Sequence, residues 1–117
     1  MEIRTRYLGP IVCLDLLGRL VAMDEDDRLK DRVNSLLFEN HRKLLLNLED
    51  VLQVDTSGLS ILVGVRHAVE RSGGVIKLLN LPPRIHNLLV VTKLITLFDV
   101  VEAETNAARA FSEDVVP

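Results

Sequence analysis

Apolar and polar residues alternate at the start of the chain. The alternation over residues 3–7 predicts a strand with one exposed face, and Gly9-Pro10 is a turn signal. The next run, residues 11–17, is apolar except at Asp15 and predicts a second strand. Two strands separated by a short turn predict a β-hairpin.

A helical pattern follows the acidic residues 24–27, whose negative charge suits the positive end of a helix dipole. Apolar residues then recur at the i, i+4, i+7, i+8 spacing of an amphipathic helix: Leu29, Val33, Leu36 and Leu37. We expect this helix to stop at Asn40-His41. Residues 43–48 are a nearly continuous apolar run that predicts a central strand, and we expect a turn over residues 51–54.

The second half of the chain predicts alternating helices and strands. A helix that begins at or just after Ser57 is apolar on most of its circumference, which predicts deep burial. Ser72-Gly73-Gly74 ends that helix, and residues 75–79 predict the next strand. Pro82-Pro83 then starts a third helix, because proline fits the first helical turn. The expected inner face of the third helix is Ile85, Leu88, Leu89 and Thr92.

The chain closes with a predicted strand over residues 97–101 and a short helix, which Thr105 caps and which runs through Ala108 and Phe111. A hairpin followed by strand–helix alternation predicts the α/β class. We expect a mixed β-sheet with mostly parallel later strands, covered by about four helices. One domain is expected over residues 1–112, with a C-terminal tail at residues 113–117.

Composition and charge limit the partners. The 117 residues are 48% hydrophobic, enough for one core without disulfides. The 14 Lys and Arg against 17 Asp and Glu give a net charge of −3, so we expect no direct nucleic-acid binding. Without a signal peptide or a run long enough to span a membrane, a cytoplasmic protein is expected. The single Cys13 excludes an internal disulfide and a cysteine-cluster metal site, and we expect no cofactor.

The segment that carries chemistry is Asp55-Thr56-Ser57-Gly58-Leu59, where a strand gives way to a helix. Backbone N–H groups at a helix start lack intrahelical partners, and the dipole is positive there. The Ser57 hydroxyl can therefore cap the helix or face solvent, and a phosphate on it would be tolerated. From residue types alone, Asp, Thr and Ser before a helix are ordinary capping residues.

The same five residues resemble the phosphorylation motif of the STAS domain family of bacterial anti-sigma factor antagonists. That motif reads Asp-Ser/Thr-Ser/Thr-Gly-Leu after a strand ending in Leu-Asn/Asp-Leu, and here the strand ends in Leu46-Asn47-Leu48. The resemblance covers nearly the whole chain. It extends to Gly18-Arg19-Leu20, to Gly73-Gly74 with residues 75–81, to residues 83–89 and to residues 97–100.

The resemblance implies an STAS-type fold and a protein that is a substrate rather than an enzyme. In that family the second hydroxyl residue of the motif is the phosphoacceptor, which is Ser57 here, and the preceding acid, Asp55, shapes the electrostatics of the site. The implied partner is a serine kinase that doubles as an anti-sigma factor and contacts the segment from Asp55 to Leu59. It binds the unphosphorylated antagonist and releases its sigma factor. Phosphorylation dissociates the antagonist, and a metal-dependent serine phosphatase resets it.

Three positions depart from the family pattern. Val21 follows Leu20 where many antagonists have an acid, which speaks against a sporulation-type partner interface. Lys93 replaces a glycine after the third helix, and a positive φ there costs of order 1 kcal/mol, so we expect a differently shaped helix end. Val90-Val91 makes that helix more apolar than packing requires, and either extra burial or a docking patch accounts for it.

Two other functions compete with the antagonist. A hydrolytic enzyme would need a general base beside Ser57, for which His41, His67 and His86 are the candidates, but the chain lacks the Gly-x-Ser-x-Gly elbow. The second alternative is a non-switching STAS module. Such domains occur as cytoplasmic pieces of anion transporters, in stress-sensing scaffolds, and as small subunits that dock to lipid-transport ATPases. The intact motif around Ser57 favours the antagonist. The sequence leaves the oligomeric state open.

Overall fold

The computed structural model describes residues 1–21 and 27–112. The predicted tail, residues 113–117, and most of the acidic stretch, residues 24–26, lie outside the described residues. The elements follow the predicted order: β1 (Glu2–Leu8), β2 (Ile11–Leu20), α1 (Arg28–Phe38), β3 (Lys43–Val54), α2 (Thr56–Arg71), β4 (Val75–Leu79), α3 (Pro83–Val91), β5 (Asp99–Val101) and α4 (Ala107–Ser112). Short 3₁₀ helices at Ile95–Leu97 and Glu104–Asn106 flank β5.

The five strands lie side by side in chain order. β1 pairs antiparallel with β2, and the pairs β2–β3, β3–β4 and β4–β5 are parallel. Leu8 lies opposite Ile11, so Gly9 and Pro10 form a two-residue turn, and the φ of +63° at Gly9 is the left-handed conformation that such turns require. The predicted hairpin, mixed sheet and α/β class are confirmed.

The larger hydrophobic core lies between one face of the sheet and helices α1, α2 and α3. Its strand residues alternate with those of the opposite face, as the two-residue period of a strand requires. The central members are aliphatic and almost fully buried: Val12, Leu14, Leu16, Leu44, Leu46 and Leu48 from β2 and β3, with Leu29, Val33, Leu62, Val65, Val69 and Leu89 from the helices. This core fixes the position of α2.

The other face of the sheet carries a smaller core and a polar network. Ala107 and Phe111 of α4 cover the smaller core, which includes the Cys13 thiol. Burial raises the pKa of that thiol to about 12. Beside it, the Arg6 guanidinium donates to the Asp15 carboxylate at 2.6 Å, and the Asn47 amide donates to the same carboxylate at 2.8 Å. The Arg6 hydrogen bond holds the pKa of Asp15 below its ordinary value.

Residues 51–54 extend β3, so the predicted turn there is wrong. Asn47 is the last residue of β3 that pairs with β4, but pairing with β2 continues until Val54 lies opposite Leu20. One neighbouring strand is enough to keep the segment extended. Leu52, in this segment, is 71% exposed.

The predicted boundaries near the C-terminus also shift. β5 begins at Asp99 rather than at residue 97, because the preceding backbone closes local 3₁₀ hydrogen bonds such as that from the Phe98 N–H to the Ile95 carbonyl, 3.2 Å. Thr105 lies inside a 3₁₀ helix and caps nothing. Thr92 is exposed at the end of α3 instead of on its inner face, and its hydroxyl donates to the Leu88 carbonyl at 2.8 Å.

Candidate functional site

The first turn of α2 begins one residue earlier than predicted, at Thr56, and Asp55 is its N-cap. Asp55 has extended backbone angles, and its Oδ1 accepts a hydrogen bond from the Gly58 N–H at 2.9 Å. Its carbonyl accepts from the Leu59 N–H at 2.9 Å. The carboxylate therefore satisfies one of the donors that a helix start leaves unpaired. The capping role open to Ser57 belongs to Asp55.

Gly58 holds this turn against the end of β2. A Cβ at Gly58 would lie 2.0 Å from the Leu20 carbonyl oxygen, a distance that no side chain tolerates. The same oxygen accepts a hydrogen bond from the Asp55 N–H at 3.3 Å. Glycine is therefore required here, because it permits close approach of two backbones. The helix start is positioned by a direct backbone contact with a central strand.

Ser57 is exposed at the second position of α2. Among the residues that the structure describes, none forms a hydrogen bond with its hydroxyl. Two other serines of the same region use theirs internally: Ser60 donates to the Thr56 carbonyl at 3.2 Å, and Ser72 donates to the Ala68 carbonyl at 3.0 Å. The Ser57 hydroxyl is therefore available to a reactant from outside the chain.

The structure places the five predicted site residues in one turn but gives them different environments. Thr56 and Ser57 face solvent, Asp55 is half-buried as the cap, and Gly58 and Leu59 are buried beneath them. Exposure alone does not distinguish Ser57 from Thr56 as an acceptor. That choice rests on the motif.

The three histidines named as candidate bases lie on different segments of the chain. His67 is on α2 ten residues after Ser57, about 15 Å farther along the helix axis. His41 precedes β3 and contacts the Tyr7 ring at a centroid distance of 5.8 Å. His86 is exposed on α3. Within residues 1–21 and 27–112, no group of three or more His, Cys, Asp and Glu side chains could hold a metal ion.

An apolar groove runs along α2 from its first turn. The sequence did not predict this groove. The helix is not deeply buried all round as predicted, because one side is exposed at Ser60, Gly64 and His67. Those residues border a groove of about 660 Å³ between α2 and the segment after α3. Its lining also includes Thr56, Leu59, Val63 and Leu94. A glycine in the middle of a helix was the one signal in the sequence that pointed to it.

The outer side of α3 is also apolar. Val90 is 46% exposed and Val91 is 78% exposed, so extra burial does not explain them. Val91 and Leu52 line a second groove beside Val54, next to the start of α2. Lys93 follows with a φ of +63°, so the lysine itself adopts the left-handed conformation that glycine favours. The expectation of a differently shaped helix end is therefore wrong.

Similarity to known proteins agrees with this mixed-sheet α/β architecture. The sequence profile of the STAS domain matches residues 3–108. The chain belongs to the STAS domain family. None of the helices in the described part of the chain is long and apolar enough to cross a membrane.

One curated relative is the anti-sigma-B factor antagonist of Bacillus subtilis (strain 168), which is 36% identical over 64 residues. The match covers 55% of this chain and 59% of that protein. The phosphorylated form of the Bacillus cell fate determinant SpoIIAA has a similar structure, with a TM-score of 0.70, 18% identity and coverage of 93% of this chain and 99% of that one. An anti-sigma factor antagonist from Mycobacterium paratuberculosis has a TM-score of 0.78, 16% identity and coverage of 93% and 92%. At these identities the structural likeness establishes the fold.

Proposed function

We propose that this protein is an anti-sigma factor antagonist that works by partner switching. When Ser57 is unphosphorylated, the protein binds an anti-sigma factor serine kinase and displaces the sigma factor. When Ser57 is phosphorylated, the complex dissociates. The observation that carries the proposal is the motif from Asp55 to Leu59. Its Ser57 hydroxyl is exposed and has no hydrogen bond to another described residue, while Asp55 performs the capping.

In this proposal the chain is the substrate and the partner is the enzyme. The kinase transfers the γ-phosphoryl group of ATP to the Ser57 oxygen, so that an O–P bond forms at Ser57 as the bond to ADP breaks. The hydroxyl proton passes to a base of the kinase. A metal-dependent serine phosphatase later hydrolyses the phosphoserine and restores the hydroxyl. All of these steps take place in the cytoplasm.

Electrostatics explain how one phosphate would end the interaction. The modification adds about −1.5 to −2 charges at a position that faces solvent in the free protein. The start of α2 tolerates an anion, because its unpaired N–H groups and dipole are positive there. The free protein therefore needs no internal rearrangement. In the complex the same dianion would be desolvated and would meet like charge, which opposes binding.

Incubation of the purified protein with each anti-sigma factor serine kinase of its genome and ATP tests the proposal. One kinase should add a single phosphate that mass spectrometry maps to Ser57. Ser57→Ala should abolish incorporation and leave kinase binding intact, and Ser60→Ala, one turn away, is the matched control that should be phosphorylated normally. A phosphate on Thr56, Ser60 or Ser72 would contradict the assignment. If no kinase binds, the alternative of a non-switching module that docks to a transporter ATPase or a stress-sensing scaffold is favoured.

A further inference from the structure

Among the described residues, one short segment covers the face of the sheet opposite α1, α2 and α3, here called the back face. This segment, the strap, consists of the 3₁₀ helix Glu104–Asn106 and α4 (Ala107–Ser112). The strap buries the side chains of Ala107 and Phe111. Beneath them lie apolar residues of the strands, each at most 4% exposed: Ile11, Cys13, Leu45, Leu79 and Val101. The strap therefore shields an apolar patch from water.

The strap depends on the sheet for its own structure. α4 has six residues, whereas an isolated helix needs about 12–15 residues to form in water. The larger core on the opposite face joins three helices to the strands and does not include the strap. Local stability follows the amount of buried apolar contact, so the strap belongs to the less stable part of the fold. Its loss leaves the larger core in place.

Two contacts hold the strap to the sheet, one near each end. At the first residue, Glu104 Oε1 lies 2.6 Å from Arg6 Nη2, and the two side chains are 43% and 38% exposed. Arg6 also donates to Asp15 on β2, so it connects the strap to the hairpin. Near the other end, the Lys77 ammonium lies 5.6 Å from the centre of the Phe111 ring. Partly exposed ion pairs contribute little stability, so the contact at Glu104 is easily broken.

We propose that the strap opens and closes as a separate unit while the sheet and α1–α3 stay folded, which makes it a reversible cover over the apolar back face. The Arg6–Glu104 ion pair stabilises the closed form, and Phe111 supplies its largest apolar contact. Opening uncovers Cys13 and its apolar neighbours on the side of the sheet opposite Ser57. This inference is independent of the proposed function, because it involves neither the kinase nor the phosphate.

Cys13 can report this opening, because it is the single cysteine of the chain. Its thiolate attacks the disulfide of dithiobisnitrobenzoate, a mixed disulfide forms and a coloured thiolate leaves. Burial raises the pKa of Cys13 to about 12, so the closed form does not react. The matched probe is Val65→Cys in a Cys13→Ala background, which places a thiol on α2 inside the larger core. That thiol should react only when the whole domain unfolds.

Without urea, Cys13 should be labelled at least tenfold faster than the thiol of the Val65→Cys variant. Its rate should also rise less steeply with urea, because local opening exposes less surface than global unfolding. Phe111→Ala should speed the labelling of Cys13 at least tenfold, since it removes the largest apolar contact of the strap. Glu104→Gln should speed it about twofold to fivefold. Glu102→Gln, at an exposed position two residues earlier, is the control and should leave the rate unchanged.

Equal rates and equal urea slopes for the two thiols would overturn the proposal, because the strap would then open only with the whole domain. Equal acceleration of both thiols by Phe111→Ala would also overturn it. Circular dichroism shows whether that variant folds. If it does not, Phe111→Leu takes its place and should still accelerate Cys13 more than the Val65→Cys thiol. An unchanged rate in Glu104→Gln would show that the ion pair does not hold the strap closed.

Discussion

Two glycines in α2 show how differently two regions of one helix are constrained. Gly58, in the first turn, lies so close to the Leu20 carbonyl that a Cβ would overlap it at 2.0 Å. Gly64, less than two turns farther on, has no atom of the described part of the chain within 4 Å of its Cβ position. The first glycine is required by the protein's own backbone, whereas nothing in residues 1–21 and 27–112 requires the second.

This difference separates the part of α2 that is held against the protein's own backbone from an exposed face that the described residues leave uncovered. The backbone contact at Leu20 and the Asp55 cap anchor the first turn of α2 to β2, and Ser57 projects from that turn. The outer face beyond it is exposed at Ser60, Gly64 and His67. In the proposed switch, a phosphate on Ser57 would change the surface charge without changing the fold.

A methyl group added at each of the two glycines should have the largest and most different effects on the free energy of unfolding. Gly58→Ala should destabilise the protein by about 3 kcal/mol, because the helix start must move away from Leu20. Gly64→Ala should stabilise it by about 0.5–1 kcal/mol through helix propensity. Urea unfolding of both variants measures the difference. Equal effects of the same sign would show that the two regions are not constrained differently.

A polar contact on the opposite face of the sheet from α2 serves as a control. Its loss should lower the free energy of unfolding without changing the rate at which Ser57 is phosphorylated. Asp15→Asn removes the ion pair with Arg6 and should cost about 1.5 kcal/mol at neutral pH. The pKa of Asp15 is lower in the folded protein than in the unfolded chain, so its stabilisation is complete above the unfolded pKa and is lost as pH falls through the folded pKa. The gap in unfolding free energy between wild type and variant should therefore close on acidification below about pH 4.

In the same Asp15→Asn variant, phosphorylation of Ser57 should proceed at the wild-type rate. A gap that stays constant with pH would show that the Asp15 charge does not stabilise the fold. A slower phosphorylation rate in folded protein would show that the two faces of the sheet are coupled.

Within the first turn of α2, substitutions at the Asp55 cap and at Ser57 should differ in their effect on stability. Asp55→Ala should cost about 1 kcal/mol, because the Gly58 N–H loses its acceptor, whereas Asp55→Asn should keep most of the stability. Ser57→Ala should change stability by less than about 0.5 kcal/mol, since its hydroxyl makes no hydrogen bond within the part of the chain that the structure describes. Thermal unfolding of the three variants tests this ranking. A loss at Ser57→Ala equal to that at Asp55→Ala would mean that Ser57 is structural.

The smallest expected effect concerns the ends of α3 and α2. Lys93 has a φ of +63° and Gly73 has a φ of +80°. Lys93→Gly should stabilise by up to about 1 kcal/mol by removing Cβ strain, and Gly73→Ala should destabilise by a similar amount by adding it. Thermal unfolding of the two variants measures whether each substitution stabilises or destabilises the protein. A destabilised Lys93→Gly variant would mean that the lysine side chain contributes more than its strained backbone costs.

Local sequence patterns predicted the order of strands and helices, because most of these patterns are compatible with only one type of secondary structure. The alternation at residues 3–7 and the apolar run at residues 43–48 formed the strands they indicated. Residues 51–54 were predicted wrongly because their conformation depends on pairing with β2, a contact between distant parts of the chain. Local signals cannot reveal such pairing.

The candidate site was predicted only as far as residue types allowed. Asp55, Thr56 and Ser57 all favour helix starts, so the sequence could not decide which of them caps α2. The structure gives that role to Asp55. The groove beside Gly64 was not predictable, because its far wall at Leu94 comes from a segment about thirty residues later in the chain.

The central claim is that phosphate at Ser57 excludes the kinase by its charge and not by rearranging the protein. The direct measurement compares unphosphorylated and Ser57-phosphorylated protein by amide NMR spectra and by calorimetric titration with the kinase. The account predicts a loss of affinity of at least tenfold, with chemical shift changes confined to residues 55–62. Unchanged affinity, or shift changes that spread across the strands and α3, would contradict it.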